Sequence, residues 1–176
     1  GGTFCHVGQK VYFEKFRISH KQIHDLHNFA LQNEQLNPTF QYRDVPIRVS
    51  KMTFQGEYIF WYGAEAKDVK SFMDSFIKIY KKTSTSMLLS NPFLKSALMH
   101  LLFVRIHPYT DGNGRTARLI HNIKFTDSIN KIYGMKLKIC PLNLSQSIFM
   151  NKLTYADRLN SIYFDLKHDT NEAINK

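Results

Sequence analysis

The stretch His107-Pro108-Tyr109-Thr110-Asp111-Gly112-Asn113-Gly114-Arg115-Thr116-Ala117-Arg118 joins two apolar segments. It concentrates one imidazole, one carboxylate, one carboxamide, two glycines and two guanidinium groups. Pro108 disfavours helical geometry at the residue before it, so the preceding helix ends at His107. A second helix begins at or just after Gly114. The free N–H groups at a helix N-terminus, with the dipole behind them, attract an anion. Gly112 and Gly114 let the backbone turn tightly and approach phosphate oxygens without a Cβ in the way. Asn113 can add a side-chain donor. Arg115 and Arg118, three residues apart on a helix, can offer forked donors to the same anion. Asp111 is a hard oxygen ligand beside this cradle, and Mg²⁺ is commonly held by one or two carboxylates together with substrate phosphates. His107, with an ordinary pKa of about 6.5, can accept a proton at neutral pH. Each residue alone has a structural explanation. Their order in one run points to a polyphosphate cradle with a base at its edge.

Outward from this stretch the periodicity is helical. Upstream, Asn91 reads as an N-cap with Pro92 at the first helical position. Phe93, Leu94, Ala97, Leu98, Leu101, Leu102 and Ile106 then make a broad apolar face, predicted to be buried on most sides. Downstream, the second helix runs through Leu119, Ile120, Ile123 and Phe125. Val69, Phe72, Met73, Phe76, Ile77 and Tyr80 predict an amphipathic helix, and residues 83–90 a polar surface connection. Ser19-His20-Lys21-Gln22 is a capping box opening a helix with Ile23, Leu26, His27, Ala30 and Leu31 on one face. Asn37-Pro38 closes that region, and residues 40–49 read as loop. Val49, Met52 and Phe54, then Gln55-Gly56-Glu57, then Tyr58 to Tyr62 suit a β-hairpin. A lone hairpin is marginal unless it packs on something, here the helices. Pro141 is a break, and Thr154-Tyr155-Ala156-Asp157 predicts the start of a last helix with Leu159, Ile162, Tyr163 and Leu166. The expectation is a mainly α fold, one domain over residues 1–176, with a core at about 18–125 and a helical part at 126–176.

The residues from His107 to Arg118 closely resemble the signature of the Fic family, His-Pro-Phe-x-Asp/Glu-Gly-Asn-Gly-Arg-x-x-Arg, departing only at Tyr109 in place of Phe. The likeness extends to Ile18-Ser19-His20 with Leu26-His27, to Arg48-Val49 and the hairpin, and to the helices on either side of residues 83–90. The resemblance implies a compact Fic-like helical bundle with one β-hairpin flap. It also implies transfer of AMP from ATP to a Ser, Thr or Tyr hydroxyl of a target protein, with release of pyrophosphate. On that pattern His107 is the general base and Asp111 holds Mg²⁺ against the α- and β-phosphates. Gly112, Asn113 and Gly114 form the anion hole. Arg115 binds the terminal phosphates and Arg118 supports them. Met52, Thr53, Phe54, Gln55, Gly56 and Tyr58 belong to the flap, which would clamp the target by adding a strand along its edge. Relatives of this fold transfer phosphate or phosphocholine instead. The kinase type carries Lys where this chain has Gly114, which favours the adenylyl donor. None of Glu14, Glu34, Glu57, Glu65 and Glu172 is followed by Gly or Asn, as the family's inhibitory motif requires. The inhibitory element is therefore on a separate antitoxin-like partner, outside this chain, or divergent.

Composition sets the alternatives. A net charge of +10 favours acidic partners, nucleic acid among them. The aromatics sit at core spacing, however, and do not interleave with basic residues as a stacking platform needs, which makes a nucleic-acid module the lesser reading. His20, His24 and His27 at i, i+4 and i+7 could share a metal. The preferred reading puts His27 in the core and the other two in water. Cys5 and Cys140 suggest free thiols in a reducing compartment. The longest apolar segment, Ala97 to Ile106, is broken by His100 and Arg105 and is too short to span a bilayer. No signal-like N-terminal pattern is seen. Richness in Lys and Asn points to a bacterial source, and the expected compartment is the bacterial cytoplasm, with delivery into a host cell left open.

Overall fold

The computed structural model describes residues 16–31, 40–82 and 90–161. Among these residues the elements are α1 (His20–Leu31), β1 (Arg48–Thr53), β2 (Gly56–Tyr62), a 3₁₀ turn (Ala66–Asp68), α2 (Val69–Lys81), α3 (Pro92–Ile106), α4 (Asn113–Tyr133), α5 (Leu144–Met150) and α6 (Lys152–Ser161). The expected stop at Asn37-Pro38, the connection at 83–89, Cys5, and the continuation through Ile162, Tyr163 and Leu166 lie outside the described residues.

α3 and α4 are the centre of the molecule. They pack against each other, α1 lies on α4, and α2 lies on α3. Phe76, Met73, Phe103, Met99, Leu102, Ile106, Ile120, Ile23 and Leu26 interlock where these helices meet. Full burial of each such side chain contributes about 1.5–3 kcal/mol, enough to hold the loop at residues 107–112 between two fixed helix ends. α4 is buried nearly all round from Thr116 to Thr126, so its lack of a clean apolar stripe is physical.

The caps follow the sequence. Ser19 Oγ accepts from the Gln22 N–H at 3.2 Å. Asn91 Oδ1 accepts from Phe93 and Leu94, and Gly134 ends α4 at φ 64°. Three expectations change. In the first turns of α3 the buried side chains are Lys95 and Ser96, while Phe93, Leu94 and Ala97 face outward. The inner face is rotated because the Lys95 ammonium reaches the Lys82 carbonyl just beyond the end of α2. Thr154 does not open a helix, because α6 already begins at Lys152, behind a turn at Asn151. The short α5, started by the Asn143 side chain on the Gln146 N–H at 3.1 Å, has no counterpart in the sequence reading.

The hairpin is antiparallel, with Phe54-Gln55 at its turn and a bulge that leaves Phe60 opposite no partner between the Val49–Trp61 and Ser50–Ile59 pairs. Gly56 at the head of β2 has φ 114°, which favours glycine. Trp61 is buried, whereas Met52, Phe54 and Tyr58 project from the tip into solvent. At the base of the hairpin, Gly63 N–H donates to the Ile47 carbonyl and Ala64 N–H to that of Ile106 at 3.2 Å. This ties the hairpin to the end of α3.

Candidate active site

His107 closes α3 in a left-handed conformation, φ 54° and ψ 61°, with its N–H on the Phe103 carbonyl at 3.0 Å. A non-glycine residue there is uncommon, and its surroundings hold it. The guanidinium of Arg43 donates to the carbonyls of His107 at 2.6 Å, Val45 at 2.7 Å, Ala64 at 2.5 Å and Ile106 at 3.2 Å. The Arg43 N–H also donates to Pro108 at 2.9 Å. Gly63 is packed so close that a Cβ would lie 3.1 Å from the Cβ of His107. The His107 ring uses Nδ1 on the Val104 carbonyl at 3.1 Å. A carbonyl only accepts, so Nδ1 carries the proton and Nε2 keeps its lone pair. Burial pushes the imidazole pKa below its ordinary value and the Arg43 charge adds to this, while the Val104 hydrogen bond and Asp111 oppose it. The ring is therefore neutral at pH 7 and able to take a proton at Nε2.

The loop folds around Asn113 and Tyr109. Asn113 Oδ1 accepts from the Tyr109 N–H at 2.9 Å, and its Nδ2 donates to the Tyr109 carbonyl at 2.7 Å. The carboxamide is buried and clips the loop from inside, while the residue still lines the cleft over α4. Tyr109 is the one departure from the signature, and α1 answers it. Its hydroxyl meets His24 Nδ1 at 2.7 Å, and its ring stacks on His27 at 3.6 Å between centroids. His27 Nε2 donates to the Asp111 carbonyl at 2.9 Å. Burial lowers the pKa of both histidines, His24 to about 4. His20 bonds Tyr42 at 2.8 Å and Asp74 at 2.7 Å. The three histidines thus serve different partners. His24 lies in the core, contrary to expectation, because Tyr109 needs an acceptor there.

Gly112 is the N-cap of α4 at φ 75°, where a Cβ would meet Leu31 at 2.9 Å and His27 at 3.1 Å. The helix carries no side-chain cap, so the N–H groups of its first turn open outward. His107, Asp111, Gly112, Asn113, Gly114, Arg115 and Arg118 line one cleft of about 270 Å³ over that turn. The imidazole, the carboxylate and both guanidiniums are brought together as the spacing required. Asp111 Oδ1 accepts from the Gly112 N–H at 2.6 Å, and its Oδ2 pairs with Arg115 at 3.2 Å. A Cβ on Gly114 would lie 3.4 Å from Arg118 Nη1, in ordinary contact. The flap residues Met52 to Tyr58 do not line this cleft, though the foot of their hairpin abuts His107.

Sequence reading missed Arg43. It lies in a stretch without periodicity, and only the oddity of an arginine beside Phe40 and Tyr42 marked it. The Tyr109–His24 pair was missed too. A hydroxyl replacing a ring hydrogen in a core position was the available signal, since a buried O–H requires a partner.

The model of the Fic/DOC family matches residues 17–123. The protein adenylyltransferase fic-1 of Caenorhabditis elegans is 30% identical over 111 residues, covering 62% of this chain and 20% of the nematode protein. A Fido domain-containing protein of Dictyostelium discoideum is 31% identical over 81 residues, 46% of this chain and 50% of its own length. This chain thus spans half or less of these relatives. Among solved structures, a Fic family protein from Desulfovibrio desulfuricans superposes with a TM-score of 0.54 at 18% identity, over 95% of this chain and 44% of that one. A Fic domain-containing signalling protein from Bacteroides thetaiotaomicron gives 0.52 at 22% identity, over 98% and 68%. At these identities the two structures speak for the fold alone. Among the described residues no helix is long and apolar enough to cross a membrane.

Proposed function

Because this chain belongs to the Fic/DOC family, we propose that it transfers AMP from ATP to a hydroxyl side chain of a target protein. The observation that carries this reading is the His107 Nε2 lone pair at the edge of the cleft formed by the first turn of α4, Asp111, Arg115 and Arg118. The triphosphate would lie along the N–H groups of that turn, with both guanidiniums on its oxygens. A target hydroxyl reaching Nε2 would give up its proton there as its oxygen attacks the α-phosphorus, and the bond to pyrophosphate breaks. A positioned histidine base contributes about 10²–10⁴-fold to such a step.

Asp111 is the residue suited to Mg²⁺. Its side chain is 79% exposed, and a single carboxylate beside a phosphate cradle is an ordinary donor set for that ion. When bound, the ion neutralises phosphate charge. The target would add a strand to the hairpin, whose tip offers Met52, Phe54 and Tyr58 as contacts. A separate inhibitory protein is one of the three routes of control left by the glutamates of this chain, and the reading requires a compartment supplied with ATP, such as the bacterial cytoplasm or the cytosol of a host.

Incubation with lysate and ATP labelled at either the α- or the γ-phosphate tests the reading. Adenylylation leaves label on protein only from the α-position, and His107→Ala removes it. Label from the γ-phosphate that appears only on adding this chain and is lost with His107→Ala would mean phosphate transfer. Retention of α-label in the His107→Ala protein would reject that residue as the base.

A further inference from the structure

We propose that a second pocket, between the C-terminal end of α2 and the middle of α4, binds the phosphate group of a small phosphorylated molecule. The pocket has a volume of about 390 Å³, larger than the cleft at the signature loop. Lys81, Lys95, Lys124 and Lys131 line it with one carboxylate, Asp127.

Two of the four are out of water. Lys95 is 6% exposed and Lys124 8%. Lys124 Nζ donates to the Tyr80 carbonyl at 3.1 Å and lies 4.3 Å from the centre of that ring. Lys95 Nζ donates to the Lys82 carbonyl. Both therefore cap the end of α2, where helix carbonyls attract cations. Capping does not account for the pair. An ammonium carries three donors, and each cap uses one. Burial first, and then the charge of Lys95, pushes Lys124 down to about 8, with Asp127 opposing. Lys95 is lowered by burial first and also by the charge of Lys131, while Lys124 and Asp127 raise it.

An anion between the two ammoniums offsets the charge gathered by Lys81, Lys95, Lys124 and Lys131, which Asp127 alone opposes in this pocket. A phosphate dianion matches two cations in charge and offers three or four acceptor oxygens. It fills part of the volume, leaving space beside Tyr80 and Ile132 for an organic group. Ammoniums this deeply set are reachable by a terminal phosphate and not by the phosphodiester backbone of a duplex.

The test uses the full chain carrying Arg115→Ala, which weakens the cleft at the signature loop, titrated calorimetrically with phenyl phosphate at pH 7. Saturable binding at one site is expected, weakened tenfold or more by Lys95→Met or Lys124→Met in the same background. These replacements keep the stem and drop the charge, and the unfolding midpoint should hold. Should either variant fail to fold, the Arg115→Ala protein is reductively methylated with formaldehyde and borohydride. Phenyl phosphate then slows modification of Lys95 and Lys124 while leaving exposed Lys51 unaffected. Absence of saturable binding, methionine variants that bind as tightly as the Arg115→Ala parent, or unprotected lysines would overturn the proposal.

Discussion

Replacing Arg43 with Met should loosen the active site from behind. The guanidinium donates to four backbone carbonyls. Without it, water can reach the carbonyl of exposed Val45, and that of Ile106 keeps the Ala64 N–H. The carbonyls of Ala64 and His107 lose the guanidinium donor. An unsatisfied buried acceptor costs about 1–3 kcal/mol, giving about 2–6 kcal/mol for the two. Against this, the folded state no longer bears the burial that lowers the pKa of the Arg43 guanidinium, so a net loss of about 2–4 kcal/mol is expected. For a domain of this size that lowers Tm by about 4–16 °C. Arg43→Lys offers a point charge instead of a fork and should recover only part of the loss. Transfer of α-label measured well below both melting temperatures should fall further than unfolding explains, because the left-handed turn at His107 loses its tether. Circular dichroism melts and labelling at one low temperature read both effects. An Arg43→Met protein that melts within about 2 °C of the parent and labels normally would refute the tether.

Tyr109→Phe restores the family's residue but leaves His24 Nδ1 without its hydroxyl partner, at an expected cost of about 1–3 kcal/mol. A double-mutant cycle with His24→Phe should show coupling of at least about 0.5 kcal/mol, and strict additivity would refute the pairing. Gly112→Ala forces a Cβ to within 2.9 Å of Leu31 at φ 75° and should destabilise by about 1–3 kcal/mol, whereas Gly114→Ala meets only Arg118 at 3.4 Å and should reduce labelling with Tm unchanged. Equal melting of the two variants would contradict this. Acid should unfold the protein early. His24 and His100 protonate near 6.5 when unfolded and near 4 in the fold, so between these values the unfolded chain binds more protons. Their contribution is complete above pH 6.5 and is lost toward pH 4, at up to about 1.4 kcal/mol per pH unit for each group. Denaturant titrations across that window should show the slope, and a flat profile would refute it.

What could be read from the chain divides by the range of the cause. Local causes were legible: Ser19 and Asn91 as caps, Gly112 at a turn, Pro108 ending a helix, and the 3.6-residue rhythm of α2. The signature loop belongs with these, because its groups lie within twelve residues and a single helix start orders them. Tertiary causes were not legible. The first turns of α3 were misassigned because the lysine at 95 turns inward to meet a carbonyl thirteen residues earlier, an attraction no periodicity encodes. Arg43 spends its charge on residues 21 and 64 positions away. α5 is too short for a rhythm to register.

These long-range contacts and the residues facing the ligand have different strengths, and the difference suits the chemistry. Beneath the loop, Arg43, Asn113, His24 and His27 make buried hydrogen bonds to backbone and Tyr109, each costly to break. On the cleft side, the Arg115–Asp111 pair is long at 3.2 Å and joins a largely exposed carboxylate. An ion pair of that kind contributes about 1 kcal/mol or less. On the proposed reading, an incoming triphosphate would draw Arg115 away and release one Asp111 oxygen for a cation, without disturbing the frame that holds His107. A loop held rigid below and loosely paired above can exchange partners at its face while its base stays in position. If the upper pair were instead the strong one, Asp111→Asn would lower Tm by several degrees. The arrangement seen here predicts a change within about 2 °C.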